Sequence, residues 1–145
     1  MSFISYQNVV DGLIECLGTI PGFTAYWNLL DYEPDSVQSP PLIYTLLDGF
    51  TRSAQGQITI MRYRILVRLV IQWQDHQAAE QELRDRLHEI PAAIDVDPTL
   101  GGRIDRGLAE VSDGQSGFVR ISNTQFRCLD YFVSAPTKSP VKSGI

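Results

Sequence analysis

The side chains that could do chemistry in this chain are few and scattered. Its histidines, His76 and His88, would lie about 18 Å apart along a shared helix and about 120° apart around it, too far to hold one metal ion. Each therefore reads as a surface residue. Asp95 and Asp97 flank Val96 just before Pro98; such a pair could bind a hard cation, but in turn sequence it reads as capping. Cys16 and Cys128 form no closely spaced motif and have no histidine near them in sequence, so they read as small buried hydrophobes. There is no phosphate-binding glycine loop and no nucleophile elbow. The residues predict no catalytic, cofactor-binding or metal site, and a protein that is not an enzyme.

What remains is contact chemistry. Gln57 to Trp73, QITIMRYRILVRLVIQW, alternates too regularly to be anything but a strand. Met61, Tyr63, Ile65, Val67, Leu69, Ile71 and Trp73 make one apolar face. The other carries Arg62, Arg64 and Arg68 with Leu66 and Val70, too charged for a second core and too apolar for a plain solvated face. In a chain of net charge −5, those guanidinium groups favour the carboxylates of a neighbouring subunit over phosphate. The expectation is a subunit interface; a solvated sheet face is the bland alternative. Tyr26, Trp27, Tyr32 and Tyr44 surround a proline-rich loop and could line a groove, although core and hairpin packing is the expected use of them.

The elements that must position these residues follow in order. Ser5 to Ile20 has the 3–4 spacing of an amphipathic helix, with Ser5 as cap and Pro21-Gly22 as stop. Phe23 to Leu30 reads as a short aromatic strand and Asp31 to Pro41 as a surface loop. Leu42 to Phe50 reads as a strand antiparallel to the long one. Between those two, Thr51, Arg52, Ser53, Ala54, Gln55 and Gly56 form a mobile tip which, with Gln57, should contact a neighbour. A second helix follows Asp75, with Ala79, Leu83, Leu87, Ile90 and Ile94 on its core face, Glu80–Arg84 and Glu82–Arg86 pairs, and Pro91 ending or bending it. Arg103 to Ser112 reads as a strand, Asp113 to Gly117 as a turn, and Phe118 to Ala135 as strand material bulged or broken near Asn123.

At 145 residues, 43% of them hydrophobic, the chain suits one α+β domain over residues 1–135: a mainly antiparallel sheet with two helices packed on one face, then a flexible tail, 136–145. The acidic balance argues against tight DNA binding. No stretch reads as a membrane span or signal sequence, and a cytoplasmic site of synthesis is expected.

This order of elements resembles the tail terminator or tail-completion proteins of long-tailed bacteriophages and gene transfer particles. The resemblance spans most of the domain. It is carried by the helix closing on Ile20-Pro21-Gly22, the loop before Pro40-Pro41, the hairpin into MRYRILVRLVIQW, the helix DHQAAEQELRDRLHEI, the segment DPTLGGRID and the closing strand FRCLDYFVSA. It implies a structural virion protein at the head-tail junction: a homo-oligomeric ring, commonly a hexamer, that caps the tail tube and offers a surface to the head connector. Its partners would be itself, the tail tube protein and the connector or neck protein, with DNA only passing through, no cofactor and no membrane. A neck-completion protein and a monomeric binding module are the rival readings.

Overall fold

The computed structural model describes residues 4–138. Its frame is a five-stranded sheet in the order β1-β2-β3-β5-β4, with β1 at Leu29–Leu30, β2 at Leu42–Gln55, β3 at Ile58–Ile71, β4 at Glu110–Ile121 and β5 at Thr124–Lys138. Only β1 and β2 run parallel; the other neighbours are antiparallel. β3 is central, as its alternation requires, with Tyr63, Ile65, Val67, Leu69 and Ile71 buried. Over that face lie three helices, α1 at Tyr6–Leu17, α2 at His76–Arg86 and α3 at Glu89–Val96. Val9, Leu13 and Leu17 of α1, Leu83 of α2 and Ile90 and Ile94 of α3 share one core with the strand residues. The fold is α+β, with the helices on one face of a mainly antiparallel sheet.

Local chemistry explains the helices. Ser5 caps α1, its Oγ accepting from the Asn8 N–H at 3.1 Å, and Asp75 caps α2 by accepting from the Ala78 N–H at 3.1 Å. Gly12 weakens α1 intrinsically, yet a Cβ there would lie 2.4 Å from the Leu100 carbonyl oxygen. The 97–109 loop therefore packs directly on helix backbone, which only glycine allows.

The single helix expected after Trp73 is two. Pro91 has no N–H to offer the Leu87 carbonyl four residues earlier, and its ring crowds that carbonyl, so α2 stops before Leu87 and the chain restarts as α3. The Tyr131 hydroxyl of β5 donates to the freed Leu87 carbonyl at 2.6 Å. The bend also corrects the core assignment: Leu83 stays buried, but Leu87 turns outward to 40% exposure.

Four strand assignments change as well. Tyr26 adopts φ 63° and turns the chain, so within 23–30 only Leu29–Leu30 is a strand. Thr51 to Gln55 is not a loop but the end of β2, closed onto β3 by a two-residue turn with Gly56 at φ 65°. Asp113 to Gly117 is the middle of β4 rather than a turn, and within 103–112 only Glu110 onward is strand. The reversal lies at Ser122-Asn123, where both residues have positive φ, 50° and 65°, as a type I′ hairpin needs. β5 continues through buried Pro136 and Thr137 to Lys138; positions 139–145 of the expected tail lie outside the described residues.

Leu83→Ala should cost about 2 to 4 kcal/mol in urea unfolding, whereas Leu87→Ala should cost less than about 1 kcal/mol. Burial, with a smaller push from Glu89, raises the Tyr131 phenol to about 12. Its contribution to stability is therefore complete below the unfolded value near 10 and is lost as pH rises through the folded one. Tyr131→Phe should lower stability at neutral pH by about 1 kcal/mol, for the lost hydrogen bond, and make the alkaline decline shallower.

Candidate functional site

The outer face of the sheet, opposite the helices, divides in two along β3. In its upper half Leu30, Leu42, Tyr44, Val70, Ile121 and Phe126 form a second, smaller core, with Val37 of the 31–41 loop packed against it. At its lower edge lies Arg68, only 20% exposed at the side chain. Its Nε and Nη2 donate to the two carboxylate oxygens of Asp130 at 2.7 and 2.9 Å, and its Nη1 donates to the Tyr44 hydroxyl at 2.9 Å. That hydroxyl in turn donates to Glu33 Oε1 at 3.3 Å. Register makes this network: Tyr44, Arg68 and Asp130 face one another across β2, β3 and β5. The hydrogen bond to Asp130 holds the guanidinium firmly charged, and burial pushes the Tyr44 phenol up although Arg68 opposes the shift.

The lower half is open. Arg64 lies over the Phe132 ring at 4.1 Å, its Nε 2.8 Å from Asp48 Oδ2 and its Nη1 3.7 Å from Asp113 Oδ1. Arg62 donates to Ser134 Oγ at 3.3 Å. Leu66 lies between the halves at 9% exposure. With Gly49 and Ser112, the two arginines edge a shallow depression. Below it the sheet narrows to the β2–β3 ribbon, in which Thr51, Arg52, Ser53, Ala54, Gln55, Gly56 and Gln57 are all exposed.

The five residues expected at one interface are therefore split. Arg62 and Arg64 are exposed, whereas Leu66, Arg68 and Val70 are enclosed by this chain's own residues. The carboxylates opposite Arg64 and Arg68, expected from a neighbouring protomer, stand on the same chain at Asp48, Asp113 and Asp130. Only Asp130 carries a local sequence signal, as the lone acid alternating with Phe126, Cys128 and Phe132. Asp48 and Asp113 carry no such signal, since the pattern puts the one near a strand end and the other in a turn.

The remaining candidates do not converge. His76 stacks on Trp73 at 3.8 Å, and His88 stands at the N-cap position of α3 without a side-chain cap bond. Asp97 is a turn cap, accepting from the Gly101 N–H at 3.0 Å. Glu80 pairs with Arg127 rather than Arg84, while Glu82–Arg86 forms as expected at 3.0 Å. Burial raises both cysteine thiols to about 11, which keeps them protonated and inert. Among the described residues no three His, Cys, Asp or Glu side chains could hold a metal ion, and no helix is long and apolar enough to cross a membrane. Of the aromatic group, Tyr44 is buried, but Tyr26, Trp27 and Tyr32 are exposed, and Trp27 edges a groove with Leu30, Pro34, Val37 and Leu42.

No protein-family model matches the sequence, and no curated protein matches it. Among solved structures, a chain in the virion of a native gene transfer agent particle aligns over 90% of this chain and 92% of its own length, with a TM-score of 0.44 and 10% identity. A likeness that slight carries no functional argument.

Asp130→Asn should cost about 3 kcal/mol, because it strands a largely buried guanidinium. The double variant Arg68→Met/Asp130→Leu should regain most of that loss. Urea melts of the single and double variants measure both; equal losses would mean that Arg68 is solvated without Asp130.

Proposed function

We propose that this protein is a structural virion protein, a tail terminator whose ring caps the tail tube and presents a docking surface to the head connector, with no catalytic role. One observation carries the reading. On the lower outer face Arg62, Arg64 and the β2–β3 ribbon are exposed around the buried Ile60, Leu66 and Pro136, and among the described residues no loop closes over them as the 31–41 loop closes the upper half. Exposed arginines beside the half-buried Leu46 and Phe132 suit a face that meets another surface. The element order behind the resemblance to tail terminators supports the same reading. Arg62 and Arg64 form the contact face in this proposal, the ribbon tip from Thr51 to Gln57 reaches a neighbour or the tube, and Leu66, Arg68 and Val70 brace the subunit from within.

The exposed Tyr26, Trp27 and Tyr32 favour a second reading, a monomeric binding module that uses the groove beside the 31–41 loop. Native mass separates the two, since the ring reading requires a closed oligomer, alone or with tail tube protein.

Reversing Arg62 and Arg64 to Glu should leave the circular dichroism unchanged and shift sedimentation towards smaller species, most clearly at low salt. An intact ring in the double variant would remove this face from the interface. Deleting Ala54-Gln55 together with Ile58-Thr59 keeps the Gly56-Gln57 turn between paired strands. Folding should survive, and tail termination in an assembly assay should fail; normal termination would make the ribbon only a connection.

A further inference from the structure

The sheet has two long open edges. Among the described residues β4 pairs with β5 alone, leaving one side of all of Glu110–Ile121 without a partner strand. On the opposite border β1 covers β2 only at Ile43 and Tyr44, so the outer edge of β2 is open from there to Gln55. Free edges are ordinarily blunted by charge, proline or bulges. Both edges carry a bulge, at Leu47/Gly49 and at Val111/Asp113. Beyond its bulge, however, β4 runs Gly114 to Val119, GQSGFV, with no charge and no proline.

Direction and side chains match as well. β2 is antiparallel to β3, β3 to β5 and β5 to β4, so the two border strands run in opposite directions. A second copy set beside the first, with its strands similarly oriented, would therefore meet β4 with β2 in antiparallel pairing. Each edge also leaves large apolar groups exposed on the helix-bearing side: Leu47 and Phe50 on β2, at 48% and 60%, and Phe118 on β4, at 51%. Their in-sheet partners Ile65, Tyr63 and Arg127 all point to that side.

We infer that β4 of one copy pairs with the open half of β2 of the next, continuing the sheet from subunit to subunit. The register follows from the chain itself. Gly117 stands level with Leu42, through Cys128 and Val70, and there β1 begins to cover β2. The copy that offers β2 must therefore slide away from the ribbon tip by about six residues, or about 20 Å. That stagger sets Phe118 beside Leu47 and frees Gly114–Val119 to pair. Strands that step from copy to copy in this way close into a ring by tilting, as barrel strands do. The inference rests on the ring reading and adds an edge-to-edge strand junction to the contact made by Arg62 and Arg64.

Native mass and amide hydrogen exchange test it together. In the assembled protein, peptides covering 114–119 and 47–55 should exchange about tenfold or more slowly than in the dissociated subunit. Under mild oxidation, Phe118→Cys/Leu47→Cys should give a disulfide-linked ladder of multimers, while neither single variant does; native Cys16 and Cys128 are buried. A dimer from Phe118→Cys alone would mean that β4 pairs with β4 about a two-fold axis, overturning the inference. A ring whose two edge peptides exchange as fast as in the free subunit would overturn it and leave the ring reading standing. A monomer at every concentration, with and without tail tube protein, would overturn both.

Discussion

Arg68 is the constraint on which the rest of the outer face depends. A guanidinium four-fifths withdrawn from water is tolerable only when its charge is met and its donors are used. Here Asp130 takes two donors and Tyr44 a third, so the pairing ties β2, β3 and β5 at one level and leaves little freedom of register among them. A slip of β5 by one residue would turn Asp130 to the helix side and put Leu129 or Tyr131 against the guanidinium. Hydrophobic patterning alone would not punish that slip as strongly, because β5 is substantially buried on both faces.

Above this level the outer face is closed and below it the face is open, and the boundary is chemical. The Tyr44 hydroxyl carries the network on to Glu33, so the 31–41 loop is tied to the sheet by a polar contact as well as by Val37 and the small core beneath it. Arg64, four residues away along β3 on the same face, has the same kind of partners but much more water. Its pair with Asp48 is exposed on both sides and contributes little to stability, about 0 to 1 kcal/mol. It is better understood as holding the guanidinium over Phe132, a fixed orientation that an incoming surface would meet already formed.

Much of this was legible from the chain. The 3–4 spacing and Ser5 located α1, Asp75 located α2, and strict alternation identified β3 and its core face. The misreadings share a physical origin. Gly114 and Gly117 beside Asp113 and Ser116 imitate turn chemistry, but Gly114 is required in a strand because a Cβ there would lie 2.9 Å from the Asp130 carbonyl oxygen. The true reversal, Ser122-Asn123, lacks the glycine that usually marks a type I′ turn. Pro91 signalled a break, but only the three-dimensional contact with Tyr131 shows where the freed Leu87 carbonyl finds a donor. Whether an arginine is internal or offered to a neighbour depends on long-range register, to which local pattern is blind: Arg62, Arg64 and Arg68 look alike in sequence and have three different environments.

That difference bears on how such a subunit could assemble. Arg68 and Asp130 satisfy each other inside one chain, so the monomer needs no neighbour to neutralise its most buried charge. What it leaves unsatisfied is milder: backbone edges that water can solvate, and single exposed side chains such as Phe50 and Phe118. A subunit of this kind can be stable alone and still gain from each contact, because strand addition replaces solvated amides with paired ones at little conformational cost. In the proposed ring every such gain recurs once per subunit and closure adds a final contact without adding a subunit, so weak, identical junctions suffice for a firm assembly while the free protein stays folded.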